Sequence, residues 1–201
     1  MEKPGPGFGA GHSAQYTTLA EALRLTVETM EAEIAELASR GREPSDASLR
    51  LEARYVTITL LAAALCESVA NVILATICEA TTFGKLERKK TAQKWTIEIP
   101  QRLSGPGPSG KLTKDLELLF DVRHSIMHAK ATIYADGETV TNPGNTELWQ
   151  QLAPDVVRRF AEVPLALVAI IPDTADTLVR AVGFSLLQRQ PRYQMPLART
   201  P

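Results

Sequence analysis

The stretch "YVTITLLAAALCESVANVILATIC", Tyr55 to Cys78, is the longest apolar run in the chain and sets the terms on which it can fold. It exceeds the roughly 20 apolar residues that a membrane-crossing helix needs. Glu67 and Asn71 lie inside it, however, and an ionisable side chain in hydrocarbon is strongly disfavoured without a partner. The better reading is a helix buried within a bundle, with no membrane association. A second run, "VPLALVAII", is too short to span and is closed by Pro172.

A helix buried on most of its circumference needs other helices to cover it. The chain has 201 residues, 44% of them hydrophobic, enough for one substantial core but not two comfortable ones. Tyr16 to Ser39 reads as a helix, with Leu19, Leu23, Val27, Met30, Ile34 and Leu37 at three- and four-residue spacings. Its other face carries Glu21, Glu28, Glu31, Glu33 and Glu36. "GREPSDAS" is a loop offering Ser45 or Asp46 as N-cap to the long apolar helix, expected from about Ala47 to Thr81. Thr82 to Gly84 should then turn the chain. "KLERKKTAQKWTIEIPQRL" reads as a shorter basic helix ending near Pro100 or shortly after, and "SGPGPSG" as a flexible connection. A further helix is expected from about Leu112 to Ala131.

Beyond it, "TIYADGETVT" centres an Asp-Gly pair between β-favouring residues, the pattern of a small hairpin. Residues 145–171 and 173–189 read as helices interrupted at Pro154, Pro164 and Pro172. The expected organisation is an all-α domain over residues 16–189, its core at about 49–133 and a C-terminal helical extension at 146–189. An unstructured leader over 1–15, in which His12 carries little weight, and a tail over 190–201 flank it.

Lys and Arg number 22 against 23 Asp and Glu, a net charge of -1, so any polyanion site must be local. Cys66 and Cys78 both fall in the apolar run, where a thiol behaves as a small hydrophobe rather than half of a disulfide, which suits a reducing cytoplasm.

"FDVRHSIMHAK", Phe120 to Lys130, gathers an arginine and two of the chain's three histidines. With Asp121 at zero and about 100° per residue, Leu112, Leu119, Phe120, Val122, Ile126 and Met127 fall on an arc from roughly 100° to 260°. That arc is the expected core face. Asp121, His124, Ser125 and His128 lie on the opposite, polar side. Arg123 lands at about 200°, inside the apolar arc, where an unpaired guanidinium is costly to bury. The carboxylate at the middle of the long helix, Glu67, with Asn71 one turn on, is the expected partner across the interface. On that reading, loss of Arg123 costs stability as well as activity.

Spacing alone leaves three readings open. The histidines can be a surface pair beside a snorkelling arginine. They can chelate a divalent ion with Asp121, although no Glu follows the first histidine as in a zinc protease. Or they can serve phosphodiester chemistry on RNA, with histidine taking the 2′-hydroxyl proton and arginine neutralising the phosphorane, two copies of the motif meeting in a dimer. Lys85, Arg88, Lys89, Lys90 and Lys94 form the densest cationic cluster and are the candidate contacts to an RNA backbone. Trp95 adjoins them, either stacking on a base or buried in the bundle.

The sequence resembles the HEPN (higher eukaryotes and prokaryotes nucleotide-binding) superfamily of helical domains over roughly residues 49–133. "RHSIMH" matches its signature of Arg, a polar follower, a short spacer and His, as Arg123, His124 and His128. "LCESVANVILATI" looks like the family's first core helix, with Glu67 and Asn71 as its internal polar residues. "KLERKKTAQKWTIEIPQRLSG" looks like the segment between the two helical pairs. The resemblance implies an antiparallel helical bundle that dimerises through the motif helices. In many members it implies a metal-independent endoribonuclease of toxin or phage-defence systems, without a cofactor and often with an antitoxin or other defence protein as partner.

By that resemblance His128 is the general base or acid, Arg123 orients the phosphate or its partner histidine, and His124 assists. Glu67 and Asn71 support the site. Lys130 stands where members modified by a nucleotidyltransferase antitoxin carry tyrosine. The rival the resemblance allows is a non-catalytic HEPN-type scaffold that recruits a protein or nucleotide.

Overall fold

In the computed structural model, which describes residues 9–42, 49–127, 134–135, 138–139, 152–175 and 177–187, the apolar run forms the central helix. Helix α1 (Gly9–Ser39) is followed by α2 (Leu49–Ile77), α3 (Ala80–Leu86) and α4 (Thr91–Gln93). The last continues through a π-helical turn (Lys94–Glu98) into α5 (Ile99–Leu103). Helices α6 (Gly110–Met127), α7 (Pro154–Ala169) and α8 (Thr177–Leu187) complete the all-α fold. Two short strands, β1 (Tyr134–Ala135) and β2 (Glu138–Thr139), pair antiparallel with Tyr134 opposite Thr139, the hairpin that the Asp-Gly pair predicts.

Helix α2 touches nearly every other helix: α1 and α7 most extensively, then α6, α8 and the α3–α5 segment. Ile58, Ala62, Cys66, Ala70, Ile73 and Leu74 have no exposed surface. Among the described residues α2 is also the one helix long and apolar enough to cross a membrane, and 56% of its most apolar window is buried inside the bundle. Its cover includes α7 and α8, whose Val157, Phe160, Leu167, Val179 and Leu186 are buried with it. Cys66 and Cys78 are free thiols, and burial pushes the Cys66 thiol far above its ordinary range.

Charge fixes the helices laterally. The acidic face of α1 is matched by arginines from its neighbours: Arg158 of α7 grips Glu31 through two bonds at 2.6 and 2.8 Å, and Arg54 of α2 grips Glu33 through two at 3.0 Å. Paired nitrogens on paired oxygens set the relative height of the helices as well as attracting them.

Several boundaries differ from the sequence pattern, each for a local reason. Helix α1 starts at Gly9, inside the expected leader, because adding residues to a packed helix is far easier than nucleating one. Helix α2 stops at Ile77 and the chain reverses at Glu79, whose backbone is extended, so the expected turn at Thr82 to Gly84 lies inside α3. The earlier break lets Phe83 and Leu86 fold back onto the core. Pro164 does not interrupt α7. Burial of Val157, Phe160, Val163, Leu167 and Val168, each worth about 1.5–3 kcal/mol, outweighs the roughly 3 kcal/mol that an internal proline costs. Ser109 caps α6, its hydroxyl accepting from the Leu112 N–H at 3.3 Å.

Pro100 explains the π-turn. It has no N–H to give the Thr96 carbonyl, and its ring would strike that carbonyl in a regular α-helix. The chain widens instead, and the Ile99 N–H reaches back five residues to Lys94 O. The turn drives Trp95 inward to 1% exposure, where its indole N–H donates to the Cys66 carbonyl at 3.0 Å. Trp95 is therefore a core residue fastening this segment to α2. Trp95→Phe keeps most of the ring but removes the donor, and should lower stability by about 1–3 kcal/mol in urea unfolding. An unchanged midpoint would show that this bond fastens nothing.

Candidate functional site

The exposed end of α6 and the polar residues of α2 are the two halves of the candidate site, and the structure joins them differently from the sequence pattern. Leu116, Leu119 and Val122 form the buried stripe of α6, facing α2 and α7. Arg123 emerges next to that stripe and is half-buried, while Asp121 and His124 are exposed. Arg123 therefore lies toward the core and His124 away from it, as the helical rotation predicts. Met127 departs from that rotation, being 58% exposed. His128 lies outside the described residues.

The expected pairing of Arg123 with Glu67 and Asn71 is not formed. Lys94, reaching inward from the π-turn, takes the position instead. Its Nζ donates to Asn71 Oδ1 at 2.7 Å and to the Glu87 carbonyl at 2.8 Å, with no exposed surface left. Glu67, half-buried on the same face of α2, acts on Lys94 through space. Arg123 makes no hydrogen bond or ion pair with a described residue. A slender lysine from the widened turn can reach a groove in α2 that the broad guanidinium on α6 does not enter.

A second buried charge anchors the same turn. Glu98 is 5% exposed and accepts from Lys89 Nζ and, at 2.6 Å, from Arg102 Nη1. The Lys89 hydrogen bond, reinforced by Arg102, holds the Glu98 carboxyl below the ordinary carboxylate range against the opposing effect of burial.

These contacts divide the cationic cluster. Lys94 is internal, Lys89 is half-buried and ion-paired, and only Lys85, Arg88 and Lys90 are exposed. The five candidate backbone contacts are thus not one surface, since Lys94 and Lys89 serve the fold. A signal for this lay in the sequence: Thr91, Trp95 and Ile99 make a four-residue core stripe, and Lys94 and Glu98 run directly beside it. Among the described residues no group of three His, Cys, Asp or Glu side chains converges as a metal site would require.

Burial holds the Lys94 ammonium below the ordinary lysine range, while Glu67 and Glu87 pull it upward. The unfolded chain keeps that proton up to about its ordinary value of 10.5, whereas the folded chain releases it earlier. Across that window the unfolded state binds more protons, so stability rises with pH. The urea midpoint of the wild type relative to Lys94→Met should therefore climb as pH is raised toward 10.5. A difference that stays flat or falls would show that burial does not burden this charge.

In comparisons with protein-family models, curated proteins and solved structures, nothing matches this chain.

Proposed function

We propose that the chain is a HEPN-like, metal-independent endoribonuclease acting as a homodimer through α6, in a toxin or phage-defence role. The observation that carries this reading is the substitution of Lys94 for Arg123 in the polar groove of α2. The fold satisfies Asn71 with Lys94 and leaves Arg123 half-buried, without a described partner, one residue from the exposed His124. A guanidinium retained at a helix end and not used by the scaffold suits an anionic ligand. Met127, exposed on the same end of α6, supplies apolar surface for a second copy.

In the proposed reaction His128 removes the proton of a ribose 2′-hydroxyl. The oxygen attacks the adjacent phosphorus, and Arg123 neutralises the charge that accumulates on the phosphorane. The P–O5′ bond breaks as a second histidine, supplied by the partner copy, protonates the leaving oxygen. The products are a 2′,3′-cyclic phosphate and a 5′-hydroxyl end. His124 contributes a polar contact beside the phosphate.

The test is incubation of end-labelled RNA with the full chain, its His128→Ala variant and its Arg123→Gln variant, with and without EDTA. Cleavage should persist in EDTA and vanish in His128→Ala. Arg123→Gln should lose about 10²-fold or more in rate, the scale of removing one transition-state donor. Because Lys94 holds the groove, the same substitution should change stability by less than about 0.5 kcal/mol. Cleavage abolished by EDTA would point to metal chemistry. Absence of cleavage in a well-folded dimer would replace the enzyme with a binding module.

A further inference from the structure

Away from α6, the arginines among the described residues are largely matched to carboxylates. Arg24 pairs with Glu21 and Glu28, Arg54 with Glu33, Arg158 with Glu31 and Arg102 with Glu98. The turn between α3 and α4 breaks the pattern. Lys85, in the last turn of α3, and Arg88 and Lys90, in the turn itself, are all exposed, and none forms an ion pair with a described residue.

This turn is not a loose run of charge. Leu86 (4% exposed) and Thr91 (6%) plug its two ends into the core. The Glu87 N–H donates to the Phe83 carbonyl at 2.8 Å and the Lys89 N–H to the Leu86 carbonyl at 3.0 Å. From beneath, Lys94 Nζ ties the Glu87 carbonyl to Asn71 of α2, and Lys89 is drawn down onto Glu98. Two cations of the cluster thus hold the backbone, and three are left facing outward from it. Helix α4, which continues the turn, packs against α6, the helix of the candidate site.

We infer that Lys85, Arg88 and Lys90 form a preorganised contact surface for the phosphate backbone of an RNA strand. This deepens the ribonuclease reading and rests on RNA being the ligand. A backbone already held in place loses little freedom on binding, and each phosphate neutralised releases counterions from the strand. Glu87 is exposed within the same turn and opposes the three cations. It weakens the contact and gives the inference a second handle.

Binding of a fluorescein-labelled oligouridylate to the full-length His128→Ala protein, followed by anisotropy across a salt series, tests it without interference from cleavage. Replacing Lys85, Arg88 and Lys90 together by alanine should weaken binding about tenfold or more at low salt. It should also make the slope of log K against log salt shallower by about 2, at roughly 0.7 per cation lost. Glu87→Gln, which leaves the main-chain bond to Lys94 in place, should tighten binding. Lys85, Glu87, Arg88 and Lys90 are exposed, so replacing them should leave circular dichroism and melting unchanged from the parent.

Equal affinity and slope in the triple variant would overturn the surface while leaving the ribonuclease reading intact. No binding of oligouridylate by the parent protein would overturn it too. Strong, salt-dependent loss in the triple variant, from a protein that never cleaves RNA, would uphold the surface and remove the enzyme.

Discussion

The bundle depends on covering α2. A helix this apolar has little solvent-facing side, so every other layer is recruited to it, and α1, α6, α7 and α8 are placed by the need to remove its surface from water. Hydrophobic burial is non-directional, however, and by itself would let the covering helices slide or rotate. The interhelical ion pairs from Arg54 and Arg158 to the α1 carboxylates provide the direction, since a paired guanidinium and carboxylate tolerate little displacement.

The polar groups inside α2 create a second demand. Asn71 and Glu67 interrupt an otherwise apolar surface, and a buried amide oxygen without a donor costs about 1–3 kcal/mol. Pro100 and Lys94 answer it together. The proline forbids regular helix, the resulting π-turn rotates the preceding residues, and that rotation brings both Trp95 and Lys94 onto α2. One irregularity thus satisfies the polar interruption and shuts the apolar edge beside it. Its effect on the candidate site is indirect: Arg123 is not required as a strut.

Much of the fold was legible from periodicity. The central role of the long apolar helix, the core face of α1, the hairpin and the direction of Arg123 and His124 about α6 all follow from spacing and turn chemistry. The partner of Arg123 did not, because a helical rotation gives the direction of a side chain and not what lies opposite it. Lys94 was misread for a related reason. A constant angle per residue fails at a π-turn, and the charge run draws the eye away from the Thr91, Trp95 and Ile99 stripe beside which Lys94 lies. Met127 shows a third limit, since an apolar arc does not reveal which of its members a neighbour covers. The candidate site was legible as a set of residues more than as a set of contacts.

Coverage of α2 by both ends of the chain also orders events in time. Helices α1 and α2 are synthesised before α7 and α8, which close the other flank of α2. Chains grow at about 5–20 residues per second, slow compared with helix formation. The central helix therefore waits, partly bare, for partners not yet made, and the long-range contacts that define the bundle form only once α7 and α8 have been made. The surface that α6 presents is therefore not assembled until α8 has emerged to complete the cover of α2.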